Sequence, residues 1–226
     1  MILCFSVLFL NLFFPNRCLH CNRIIGGNEL VCELCFDQIR FSHHDFSASN
    51  PLKERCSLLF PVENAFALMY FEQESLGRKI VHQLKYGNRE KVGKILAKWV
   101  SEKLDFGEQK PDLLVTVPLH PKKLKERGYN QLHLFTKTLA QNFDIPFNHT
   151  LIKRNFYRKA QAKKNKLQRT ETENLFSVTN NDISGKHILL IDDVFTTGNT
   201  ISSIAWEILK NSENVKISIL VMAMDV

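Results

Sequence analysis

No tract of low complexity and no internal repeat occurs in these 226 residues. With 44% hydrophobic and 23% charged residues, the composition excludes a disordered, collagenous or coiled-coil chain. Nor is any apolar run long enough for a membrane span. The longest, residues 1–15 (MILCFSVLFLNLFFP), falls short of the ~20 residues a bilayer core requires. No Lys or Arg precedes that run and no small-x-small cleavage site comes after it, which argues against a signal peptide. The remaining reading is an apolar segment that docks on the module beginning at Cys18. The expectation is a cytoplasmic chain without stable membrane insertion. Cysteine is sparse too: there are only six, and most of the chain has none, unlike a disulfide scaffold. Acids are absent from one basic stretch, which holds Lys153, Arg154, Arg158, Lys159, Lys163, Lys164, Lys166 and Arg169.

The length is sufficient for one large domain, or one domain and a small module, with a real core. The net charge of +7 favours acidic partners such as phosphates or nucleic acid. Four of the cysteines stand as Cys18-x2-Cys21 and Cys32-x2-Cys35, ten residues apart. Two such pairs offer four thiolates to one point, which is the demand of structural Zn2+. Two disulfides, or redox-active thiols, are the alternatives. Gly26-Gly27 suits a turn in the spacer. Cys4 and Cys56 are left over: Cys4 reads as a small apolar residue, Cys56 as the remnant of another ligand pair. Residues 36–64 are polar, lack sustained periodicity, and read as a connector. Their His43-His44-Asp45 reads as a solvated loop.

From Asn64 onward the pattern alternates. Strands are expected at Ala65–Phe71, Leu113–Val117, Ile188–Ile191 and Val215–Met222. Helices are expected at Leu76–Tyr86, Val92–Leu104, Tyr129–Phe143 and Thr200–Leu209, each with an apolar face. Strands separated by helices argue an α/β fold with a parallel sheet. Ligands of such sheets sit at the carboxyl ends of the strands.

One such end carries an unusual series: Asp192-Asp193-Val194-Phe195-Thr196-Thr197-Gly198-Asn199-Thr200. Two carboxylates stand at a strand tip, and a Thr/Gly turn leads into a helix N-terminus. Exposed amides, hydroxyls and the helix dipole make an anion site. Two acids beside a phosphate cradle suit a phosphorylated ribose. An ordinary capped helix would need only one of these residues.

Ile188–Thr200 (ILLIDDVFTTGNT) resembles the phosphoribosyl-pyrophosphate (PRPP) motif of type I phosphoribosyltransferases. Together with Cys18–Cys35, Leu84-Lys85-Tyr86-Gly87, Val117-Pro118-Leu119, Arg127-Gly128-Tyr129-Asn130-Gln131, Arg154, Gln161 and Asn174-x-Phe176, it resembles the ComF family. These are phosphoribosyltransferase-like proteins with an N-terminal zinc finger, linked to competence and DNA uptake. Many members have further cysteine pairs; here Cys56 stands alone. The resemblance implies a type I phosphoribosyltransferase-like parallel sheet flanked by helices over 64–226, preceded by a zinc-ribbon-like module and connector in 1–63. It implies that Asp192 and Asp193 bind ribose hydroxyls, directly or through Mg2+, and serve catalysis. Thr196, Thr197, Gly198, Asn199 and Thr200 would hold the 5'-phosphate.

Val117–Gln131 corresponds to the pyrophosphate loop, where Lys122, Lys123, Lys125, Arg127 and Gly128 come after a strand end. Arg154, Arg158 and Gln161 fall in a long basic stretch that reads as a flexible loop closing over the pocket. The same charge, with Phe156 and Tyr157, suits a single-stranded DNA backbone. Two functions are consistent with these residues. One is transfer of a phosphoribosyl group with release of pyrophosphate. The other is a non-catalytic module binding single-stranded DNA or a DNA-uptake partner.

Overall fold

The computed structural model describes residues 15–27, 29–86, 90–155, 175–179 and 182–226. Cys4, the apolar start, Phe156, Tyr157, Arg158 and Gln161 lie outside the described residues.

The first described segment is a tight knuckle. An antiparallel bridge between Arg17 and Ile24 closes the turn that carries Cys18 and Cys21. Cys18 N donates to Arg23 O at 2.8 Å, and Leu19 N reaches Leu30 O at 3.0 Å. The second cysteine pair straddles the start of helix α1 (Glu33–Phe36), whose N-cap is Cys32.

Residues 36–64 differ from a free connector in two ways. First, residues 40–42 lie antiparallel along strand β1 (Ala65–Tyr70), with Tyr70 N on Arg40 O at 2.9 Å and Ser42 N on Leu68 O at 3.1 Å. That pairing covers an edge that would otherwise expose unmade hydrogen bonds. Second, the segment contains helix α2 (Pro51–Ser57). Asn50 caps it by accepting from Lys53 N at 3.0 Å, and Pro51 opens it. With only seven residues, α2 buries just Leu52 and Cys56, too few apolar points to show a period in the sequence. Cys56 is fully buried, and burial pushes its thiol up to about 12. It is a core residue and lies outside the cluster of the four paired cysteines.

Helices α3 (Leu76–Tyr86) and α4 (Glu90–Lys103) lead from β1 to β2 (Leu113–Thr116). A short helix α5 (Pro121–Arg127) and α6 (Gln131–Phe143) lead on to β3 (Phe147–Asn148). Strands β4 (Ile152–Arg154) and β5 (Phe176–Val178) form a separate antiparallel pair. The chain ends with β6 (His187–Phe195), α7 (Asn199–Asn211) and β7 (Lys216–Met224).

The main sheet is parallel throughout, in the order β1-β7-β6-β2-β3. The aliphatic runs of β6 and β7 form its centre, and Ile217–Met224 is buried without a break. Successive side chains on a strand face opposite ways, so an unbroken buried run means that both faces are covered. Leu84, Leu96, Phe135, Leu139, Ile204 and Ile208 supply the covering helix faces. This is the expected α/β architecture. Most element ends shift by one or two residues, but β6 runs four residues past Ile191, so both acids belong to the strand, not to a loop after it.

Candidate functional site

The ends of β2 and β6 are neighbours in the sheet, with Thr116 opposite Ile191. A cleft of 170 Å³ opens just beyond them. Its walls include Asp192, Asp193 and Thr200 on one side. Lys85, Lys123, Arg127, Gln131 and Arg154 contribute from four other elements.

Both acids at the strand tip are half-buried, and one is already engaged. Asp193 has a side chain only 13% exposed. Its Oδ1 faces Lys85 Nζ at 3.1 Å, and its Oδ2 accepts from Gln131 Nε2 at 2.7 Å. Gln131 Oε1 in turn accepts from Arg127 Nη1 at 3.0 Å, and the Arg127 guanidinium lies 4.8 Å from the Tyr86 ring centre. Asp192 accepts only the backbone N–H of Asp193, at 2.8 Å, among the hydrogen bonds of the described residues. Burial, reinforced by the charge of Asp193, pushes its carboxyl up to about 7, against the pull of Lys85 and Arg154. The two neighbours therefore differ. Asp193 ties α3 and α6 to the strand, and Asp192 remains the open acceptor.

Beyond the acids, Gly198 stands at the N-cap of α7 with φ 73°. That conformation suits glycine. A Cβ here would meet Leu59 Cδ1 at 2.5 Å and Phe195 Cζ at 2.8 Å. The missing side chain therefore makes room for the protein's own core rather than for a ligand. Thr196, Thr197 and Asn199 are exposed, and Thr200 lines the cleft. The first amides of α7 have no intrahelical acceptor and point out of the helix start.

The segment after β2 is not a loop. His120 caps α5 by accepting from Lys122 N at 3.1 Å, and Gly128, with φ 78°, ends it with its N–H on Leu124 O at 2.8 Å. Gly128 is thus a helix stop, with no neighbour near the place of its missing Cβ. The helical turn brings Lys123 and Arg127 to the cleft and leaves Lys122 outside its lining. Asn130 then ties α6 to the sheet: it caps Leu132 N at 3.0 Å and donates to Val117 O at 3.2 Å. Arg154 reaches the cleft from the end of β4. Lys85 and Gln131 stand in motifs of the family resemblance, but the sequence assigned them no role. A cation at a helix end and an amide at a helix start offer no signal of which carboxylate they will meet.

The four paired cysteines come together. Their sulfurs all lie within 4.8 Å of one another, with Cys21 Sγ 3.6 Å from Cys32 Sγ. A disulfide needs about 2.05 Å, and all four are free thiols. The spacing instead matches the edge of a tetrahedron with Zn–S bonds of about 2.3 Å. The thiols are unequal. Burial raises that of Cys18, but the amides of Cys21, Cys32 and His20 more than offset it and bring it to about 6. Burial and the neighbouring sulfurs push Cys35 up to about 12. Four thiolates this close need a cation among them. The donor set fits structural zinc.

Comparison with known proteins gives the same two parts. The family of phosphoribosyl transferase domains matches residues 133–225, and the double zinc ribbon domain matches 9–61. Competence protein ComFC of Bacillus subtilis is 38% identical over 116 residues, spanning 50% of this chain and 46% of that protein. Competence protein F of Haemophilus influenzae is 26% identical over 211 residues, spanning 85% of this chain and 90% of that protein. DNA utilization protein YhgH of Salmonella typhimurium is 30% identical over 138 residues, 58% of this chain and 60% of that one. The chain thus spans about half to three-fifths of the first and third of these relatives. Among solved structures, a purine phosphoribosyltransferase from Pyrococcus horikoshii matches with a TM-score of 0.38 and 23% identity, over 59% of this chain and 72% of that one.

Proposed function

Because the chain belongs to the ComF family, joining a zinc ribbon to a phosphoribosyltransferase domain, we propose that its cleft binds PRPP or a related phosphoribosyl ligand and transfers the phosphoribosyl group. The observation that carries this reading is the order of groups along one strand-turn-helix: an open carboxylate, then the free amides of a helix start. The 5'-phosphate lies on the Thr196–Thr200 amides, where neutral donors and the helix dipole hold it. Asp192 accepts a ribose hydroxyl. Asp193, held by Lys85 and Gln131, keeps the strand end in place. Lys123, Arg127 and Arg154 face the departing pyrophosphate and stabilise its charge as it develops. The relatives named for competence and DNA utilization support a role in handling DNA that enters the cell.

Mg2+ fits one of the two acids. Both oxygens of Asp193 have protein partners, whereas Asp192 is a desolvated carboxylate whose proton a cation would displace. When bound, the metal neutralises pyrophosphate charge; Asp192 is the residue that would face it, through the ribose hydroxyls.

Calorimetric titration with ribose 5-phosphate and with PRPP, each with and without Mg2+, tests the binding. Pyrophosphate release on incubation with PRPP and a panel of nucleobases and amines tests the transfer. Failure of both ligands to bind in every condition removes the proposal. Binding without pyrophosphate release across the panel removes the transferase half and leaves a binding module.

A further inference from the structure

The turn after the acids is held from behind by a residue of the N-terminal part of the chain. Arg55, on α2, donates from Nη2 to the carbonyl of Thr196. Its Nη1 donates to the Asp225 carbonyl at 3.0 Å and lies 2.6 Å from Asp225 Oδ1. Its guanidinium stands 5.0 Å from the Phe195 ring centre. One planar cation thus spans the residue just past β7, the last residue of β6 and the residue after it. The fork geometry of arginine permits this, and a lysine cannot reproduce it. Two residues beyond α2, Leu59 fills the notch beside Gly198, and Trp206 Nε1 of α7 donates to Leu59 O at 2.9 Å. The segment 55–59 therefore touches the turn before and at the glycine, and the helix that follows it.

We propose that Arg55 is a positioning residue for the 5'-phosphate. A carbonyl and the next N–H belong to one rigid peptide plane. Fixing the oxygen of Thr196 fixes the direction of the Thr197 N–H, which opens the cradle. Arg55 touches no ligand; it acts through the Thr196–Thr197 peptide. The inference rests on the reading of Thr196–Thr200 as a phosphate site and extends it. It makes the affinity of that site depend on α2, which lies outside residues 133–225.

Two variants separate positioning from simple fastening. Arg55→Met keeps an unbranched apolar side chain but has neither the donors nor the cation over the Phe195 ring. Asp225→Asn weakens the ion pair and leaves the Thr196 contact. Arg55→Met should weaken ribose 5-phosphate binding by about tenfold, the size expected for one charge-assisted hydrogen bond. It should also speed hydrogen exchange at the Ser202 amide, whose acceptor is Gly198 O at 2.8 Å. Asp225→Asn should keep both properties near wild type, even where the melting temperature falls. If Arg55→Met does not fold, Arg55→Lys, which retains the charge beside Asp225 without the fork, is read in the same way. Wild-type affinity and Ser202 protection in the Arg55 variant overturn the proposal, as does an equal loss in the two variants. If wild-type protein binds no ribose 5-phosphate, the phosphate reading falls, and the Ser202 exchange rates alone decide whether Arg55 orders the turn.

Discussion

Asp192 and His149 push stability in opposite directions as pH changes. Asp192 has a folded value of about 7 against 3.8 unbound by structure, because burial and Asp193 disfavour its charge. The folded state then holds a proton that the unfolded state has lost. This contribution to stability is full below about pH 4 and falls as pH rises through 7. His149 is brought down to about 4 by burial and then by His133, whose ring stacks on it at 4.0 Å between centres. Its Nδ1 is 2.7 Å from Thr116 Oγ1. Here the unfolded state binds the extra proton, so stability is present above about 6.5 and is lost as pH falls toward 4. Burial lowers His44, His133 and His187 in the same sense. In wild type the two slopes partly cancel. Asp192→Asn removes one of them, so its stability should rise more steeply between pH 4 and 7 than that of the parent. At pH 8 it should also be more stable than the parent. Urea titrations across that range check both points; a variant with the parental slope contradicts the assignment of the shift to Asp192.

The strand-turn-helix from β6 to α7 depends on a residue that has no side chain. At Gly198 a methyl group meets two obstacles, the positive φ and the contact with Leu59 and Phe195. Either alone costs about 1 kcal/mol or more, and overpacking adds roughly 1–3. Gly198→Ala should therefore lower stability by roughly 2–4 kcal/mol. It should weaken ribose 5-phosphate binding through displacement of the turn rather than by blocking the cradle. Leu59→Ala in the same chain opens the notch and should recover part of the stability. A double-mutant cycle on melting free energies reads the coupling; strictly additive losses mean that Leu59 is not the obstacle. Helix α5 makes a related point. Pro121 and Gly128 delimit it as start and stop signals, yet the intervening Lys122, Lys123, Lys125 and Arg127 read as a basic loop, because a seven-residue helix without a buried face has no period.

The zinc module and the sheet share one core. Cys18, Cys32 and Cys35 are buried in the same apolar cluster as Phe46, Leu52, Phe66 and the strands. Phe36 of α1 meets Trp99 of α4 edge to face at 5.1 Å. Removal of the metal should therefore be felt beyond the ribbon. Cys35→Ala should abolish stoichiometric zinc and lower the melting temperature of the whole chain in one transition. Elemental analysis and calorimetry check this. A full equivalent of zinc in the variant removes Cys35 from the ligand set, and two separate transitions mean that the parts do not share a core.

Local chemistry alone determined much of this protein. The paired cysteines bring their sulfurs together because a CxxC turn is short enough to aim both sulfurs by itself. The strands of the central sheet were legible because aliphatic runs buried on both faces read as such without their neighbours. The acid pair and the Thr/Gly turn announced themselves for the same reason: they are contiguous. What the fold alone decided is long-range pairing. That Asp193 is spent on Lys85 and Gln131 while Asp192 stays open is set by where α3 and α6 end in space. That Arg55 reaches Thr196, 141 residues away in the chain, is set by α2 packing beside the end of β6. Side-chain partners across such distances leave no periodicity and no spacing in the sequence, because the sheet order, not the chain order, sets who meets whom.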